Sequence, residues 1–166
     1  DLNDLAYKKR IEGIKFQDLR WGIDTGIDEK DKDKKILEVC LDEIDNNRPY
    51  FVVLLGDRYG WIPQGDLVKE TGIEYGIYDK DQSIEKSITH LEIDYGFLKN
   101  PAYAQNAYAY FRTIVGDVKG TIYEPDPYEK ERVEALKAEI REILDPSHIH
   151  EYAVSYTHLT LPTIRL

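Results

Sequence analysis

Methionine is absent from the 166-residue chain, and cysteine occurs once, as Cys40. A single cysteine excludes an internal disulfide and fits a reducing compartment, so a cytoplasmic location is expected. The chain opens on Asp1 with no signal-peptide pattern, and its N-terminus is read as cut. No apolar run approaches the roughly 20 residues that span a bilayer, so no membrane partner is expected. Basic residues are scarce: 22 Lys and Arg stand against 32 Asp and Glu, a formal charge of −10. That balance argues against nucleic acid as a partner, because phosphate binding draws its affinity from Lys and Arg. Neither a P-loop lysine motif nor G-x-G-x-x-G occurs. What remains, 42% hydrophobic and 33% charged, is the composition of a soluble globular domain. A chain of this length buries roughly 70% of its unfolded surface, enough for one core without staples.

Strand and helix patterns alternate along the chain. Leu2, Leu5 and Ile11 mark the end of a first helix, stopped near Gly13, and Ile14–Leu19 reads as a short strand. Ile36, Leu37, Cys40, Leu41 and Ile44 form one apolar stripe of a helix ended by Asn46, Asn47 and Pro49. Tyr50–Leu55, YFVVLL, is an unbroken apolar run and predicts a strand buried on both faces. Asp57–Gln82 shows no periodicity and is expected to be a long loop. Ser83 opens the next helix, with Ile84, Ile88, Leu91, Tyr95 and Leu98 as its stripe and Asn100–Pro101 as its stop. Ala107–Thr113 predicts a strand, and Tyr128–Leu144 an amphipathic helix ended by Pro146. This order predicts an α/β fold: an open parallel sheet with helices on both faces, joined by right-handed crossovers. A strand should precede the first helix and another follow the last, so the fold is expected to be truncated at both ends.

The domain is assigned to residues 1–150 and a non-native tail to residues 151–166. Val154–Thr163, VSYTHLTLPT, resembles a one-frame translation of the adapter used in transposase-prepared sequencing libraries. Ser155–Leu161 also alternates apolar and polar residues as a genuine strand would. Removing Val154 onward deletes Arg165 and no acid, leaving the body more acidic still.

In open α/β sheets, ligands bind beyond the carboxyl ends of the strands. Three such ends are readable: Asp18–Gly22, Gly56–Pro63 and Phe111–Thr113. They deliver Arg20, Trp21, Asp57, Arg58, Tyr59, Trp61 and Arg112, a cationic and aromatic rim suited to an anionic or nucleotide-like ligand. The alternative is structural: Arg20, Arg58 and Arg112 pair with Asp18, Asp57 and Asp117, and the tryptophans cover the sheet end. Glu92, on the helix after the long loop, is the candidate carboxylate for N-glycosidic cleavage, as nucleophile or oxocarbenium stabiliser. Spacing alone favours the alternative, a solvated helix glutamate. His90 faces elsewhere on that helix and makes a weak pair with Glu92. His148 and His150 lack further ligands, and Asp28, Asp31 and Asp33 lack the glycine and terminal glutamate of a calcium loop, so no metal site is expected. Cys40, on an apolar stripe, reads as a core thiol.

The blocks FQDLRWGI (Phe16–Ile23), LEVCLDEI (Leu37–Ile44), RPYFVVLLGDRYGWIP (Arg48–Pro63), the Ser87–Leu98 stretch SITHLEIDYGFL and AYAYFR (Ala107–Arg112) occur in order. Together they are similar to an uncharacterised domain resembling a TIR-type, flavodoxin-like module. Such domains stand at the N-terminus of large NACHT or AAA-type STAND proteins with WD40 or TPR repeats, among them relatives of telomerase protein component one and nephrocystin. The resemblance covers about Ile11–Leu144. It lacks the family's opening strand and Ser-Thr-Phe-x-Asp-like segment. It implies a regulatory or interaction module of a signalling or defence NTPase, with protein partners or self-association and no cofactor. TIR-type domains also cleave NAD through a helix glutamate, so the resemblance implies NAD as a substrate and Glu92 as the catalytic carboxylate in that alternative. The LGDRYGW turn has no counterpart in the catalytic TIR pattern.

Overall fold

The computed structural model describes residues 32–63, 66–79, 85–121 and 124–155. Helix α1, Lys32–Asn46, forms where the apolar stripe predicts it. Leu37 and Leu41 are fully buried, each contributing about 1.5–3 kcal/mol of burial. Strand β1, Phe51–Leu55, follows. Helix α2, Asp66–Glu74, then occupies what the sequence presents as structureless loop. Its interior Gly72 hides the helical pattern, yet the site requires glycine: a Cβ there would stand 2.3 Å from Cδ2 of Tyr78. Val68 and Thr71 anchor the helix, and Gly76 ends it at φ +70°.

Helix α3, Ile88–Ile93, is capped by Ser87 rather than Ser83, which lies outside the described residues. The Ser87 hydroxyl accepts the backbone N–H of His90. The helix then widens into a π-turn, Asp94–Leu98. Gly96 allows this, because a Cβ there would stand 2.8 Å from Cε2 of Phe51. Arg48 satisfies the turn's carbonyls, donating to Gly96 O at 3.0 Å and Tyr95 O at 3.2 Å. A 3₁₀ turn, Pro101–Asn106, leads into strand β2, Ala107–Val115. Helix α4, Pro127–Ile143, begins on Asp126, whose carboxylate accepts the N–H groups of Tyr128 and Glu129.

A third strand, β3, Ile149–Ser155, follows α4. This corrects the expectation that no strand follows the last helix. His150, Glu151 and Tyr152 break the apolar run that marks β1, so the sequence reads as polar. The strand takes in residues 151–155 of the segment assigned to the tail.

The sheet is parallel in the order β1-β2-β3. Its register runs from Phe51↔Ala107 to Leu55↔Phe111 and from Ala109↔Ile149 to Val115↔Ser155. Val53, Leu55, Ala107, Ala109 and Phe111 form one face, packed against Ile93 and Phe97 of the third helical segment and Val133, Leu136 and Ile140 of α4. A second core joins α1, α2 and the opposite side of α3 through Leu37, Leu41, Val68, Ile77 and Leu91.

The α/β class and parallel sheet are as expected, but among the described residues helices cover only one sheet face. Strands added in one direction by right-handed crossovers place their helices on the same side. Val52 and Leu54 are accordingly 59% and 70% exposed, so β1 is not buried on both faces. The expected first helix and the strand Ile14–Leu19 lie outside the described residues. Among the described residues, no helix is long and apolar enough to cross a membrane.

Candidate functional site

The carboxyl ends of β1 and β2 do form a cavity, of about 240 Å³, lined by Gly56, Asp57, Arg58, Arg112 and Ile114. Gly56 is there for close approach: a Cβ would stand 2.7 Å from Nη2 of Arg112. The Arg112 Nε is buried without a hydrogen-bond partner among the described residues, so this guanidinium keeps a donor for a ligand. Asp117 does not serve as its counter-ion but accepts the backbone N–H of Lys119 at 3.1 Å. Three of the rim residues therefore converge: Asp57, Arg58 and Arg112. Trp61 is half-exposed outside this cavity, its carbonyl accepting the Ile88 N–H. Arg20 and Trp21 lie outside the described residues.

Tyr59 turns away from the rim and into the core. Its hydroxyl lies 2.6 Å from Nδ1 of His90, and the Arg132 guanidinium sits 4.5 Å over its ring. Burial raises the Tyr59 pKa, and Arg132 partly offsets it. Burial lowers the His90 pKa to about 3, with the cations Lys86, Arg132 and Lys99 adding to it. Asp94 is buried too; burial raises its pKa, and Lys86 at 2.6 Å opposes the shift.

Glu92 occupies a different place from the rim. It is half-buried and lines a cavity of about 270 Å³ between α1 and β1, with Cys40, Glu43, Ile44, Asn47, Tyr50 and Val52. Burial raises its pKa, offset in part by a hydrogen bond from the Cys40 thiol. The same burial, with the nearby Glu92 carboxylate, pushes Cys40 up to about 12, so it is a protonated core thiol. His148 and His150 each stack on their own tyrosine, Tyr108 and Tyr110.

Sequence reasoning misses the group built around His90, where Tyr59, Asp94, Arg132 and Glu139 meet. The four-residue spacing of His90 and Asp94 is a visible signal for one helix face. The partners from elsewhere in the chain carry no local signal. A further cavity, of about 450 Å³, lies between Arg48, Tyr75, Tyr95, Lys99 and Tyr103.

The family model described as "Domain of unknown function (DUF4062)" matches residues 8–156. Two curated relatives align over shorter stretches. Telomerase protein component 1 of Mus musculus is 50% identical over 46 residues, 28% of this chain and 2% of that protein. Telomerase protein component 1 of Rattus norvegicus is 48% identical over 58 residues, 35% of this chain and 2% of that protein. The chain thus spans a small fraction of the relatives it matches. No solved structure matches.

Proposed function

The chain belongs to the DUF4062 family, and from that membership we propose that it is a TIR-like regulatory and protein-interaction module of a larger STAND-type signalling or defence NTPase. The observation that carries this reading is the open sheet face. Val52, Leu54 and Tyr152 are 59%, 70% and 44% exposed across β1 and β3, with Tyr50 beside them. Exposed apolar side chains gathered on one face mark an interaction surface. The occupant we assign to it is a second copy of the chain, because two-fold self-association is the commonest way for one surface to satisfy itself. A charge of −10 on each copy opposes that pairing, so it strengthens as salt screens the repulsion.

Sedimentation velocity over a concentration series tests the reading. Reversible dimers are expected, favoured by salt and lost in Leu54→Glu, which changes an exposed side chain and leaves the fold intact. A wild-type chain that stays monomeric at all concentrations, or a Leu54→Glu chain that still dimerises, overturns it.

A second reading has its own support in Glu92, a half-buried carboxyl of raised pKa facing a cavity. In this reading the domain cleaves the N-glycosidic bond of NAD or a nucleoside. Nicotinamide release from NAD by the full-length protein, abolished in Glu92→Ala, supports it. Equal release by both proteins removes Glu92 from the chemistry.

A further inference from the structure

We propose that His90, Asp94 and Glu139 bind a divalent transition-metal ion of the zinc type at the seam between α3 and α4. His90 and Asp94 stand four residues apart where α3 passes into its π-turn, with Nε2 and Oδ1 3.7 Å apart. Glu139 comes from α4 and brings Oε2 to 3.8 Å from the same nitrogen. The three donor atoms all lie within 4.8 Å of one another. A tetrahedral zinc ion with bonds of about 2.0–2.2 Å holds its ligands roughly 3.4 Å apart, so small side-chain movements complete the site.

The independent observation is the imidazole itself. His90 is 5% exposed, and its Nε2 is buried with no hydrogen-bond partner among the described residues while facing both carboxylates. In the tautomer protonated at Nδ1, a nitrogen so placed offers its lone pair to a metal ion. The other ring nitrogen is already positioned as metal sites require: Nδ1 lies 2.6 Å from the Tyr59 hydroxyl, whose oxygen also accepts from Arg132 at 3.3 Å. Asp94 is oriented likewise, with Oδ2 held by Lys86 at 2.6 Å and Oδ1 left for the ion. One imidazole nitrogen and two carboxylate oxygens select a first-row divalent ion over magnesium or calcium. Glu139, half-exposed, sets the solvent side, where three protein ligands leave a fourth position for water.

The test titrates the full chain, stripped by a chelator, with Zn²⁺ and with Co²⁺ near neutral pH. One equivalent bound, a raised Tm, and a cobalt spectrum without a thiolate charge-transfer band are expected. Nitrogen NMR should show the perturbation at Nε2 of His90. Glu139→Gln changes an exposed side chain, so it should melt like the wild type without metal and bind at least about tenfold more weakly. The paired change His148→Gln and His150→Gln should leave affinity unchanged. The proposal is overturned by absence of stoichiometric binding to the wild type, by wild-type affinity in Glu139→Gln, by loss of binding in the paired histidine variant, or by a cobalt–thiolate band from Cys40.

Discussion

Glu92 and Cys40 perturb each other across the seam between α1 and α3. Burial leads in raising the Glu92 pKa, and the Cys40 thiol only partly compensates. A carboxyl whose folded pKa lies above its unfolded one adds stability below the unfolded pKa, and that stability is lost as pH rises through the folded pKa. The charged form of Glu92 is therefore the one that opposes folding. Glu92→Gln should raise the Tm of the domain at neutral pH, with the gain fading as pH falls into the ordinary carboxyl range. A lower Tm for the variant at neutral pH would show that the charge itself is needed. Cys40 carries the matching effect: a thiol pushed from 9.0 to about 12 has roughly a thousandfold less thiolate at a given pH. Alkylation of the native protein, followed by mass spectrometry, should be slower than that of the unfolded chain by about that factor. The core role of Cys40 is legible from its place on an apolar stripe. Tyr59 is not legible as a core residue, because its partners His90 and Arg132 lie 31 and 73 positions further on.

At the scale of elements, the third helical segment divides the molecule's two cores. Ile93 and Phe97 face the sheet while Leu91 faces α1 and α2. The sequence shows the stripe of this helix but not its change of pitch, since the π-turn depends on Gly96 meeting Phe51 and on Arg48 reaching back to two carbonyls. Gly96→Ala drives a methyl group into the Phe51 ring and should cost about 1–3 kcal/mol in chemical denaturation. Ser87→Ala removes the cap and should cost about 1 kcal/mol. If Gly96→Ala were neutral, the ring would be free to move and the π-turn would not depend on this close approach. Helix α2 escapes a sequence reading for the same kind of reason: Gly72, a poor helix residue, is kept because Tyr78 lies against it.

At the scale of the whole molecule, the parallel sheet and its order follow from alternating strand and helix patterns, whereas its extent does not. Strand β3 has little apolar signal because it buries little: Ile149 packs on the core, while residues 150–153 are exposed. Its attachment rests instead on the ladder from Ala109↔Ile149 to Val115↔Ser155, on His150 stacking with Tyr110, and on the 2.7 Å ion pair of Glu151 with Arg141. These contributions are individually small and come to on the order of 3 kcal/mol. A chain shortened to end at residue 148 leaves the second edge of β2 unpaired, a template for pairing with other chains. It should melt lower and scatter light as it aggregates, whereas a chain ending at residue 155 should melt as the full chain does. Equal melting of all three would detach β3 from the fold. A loss confined to the shorter chain would make the strand Ile149–Ser155 part of the domain, because only its residues separate the two truncations.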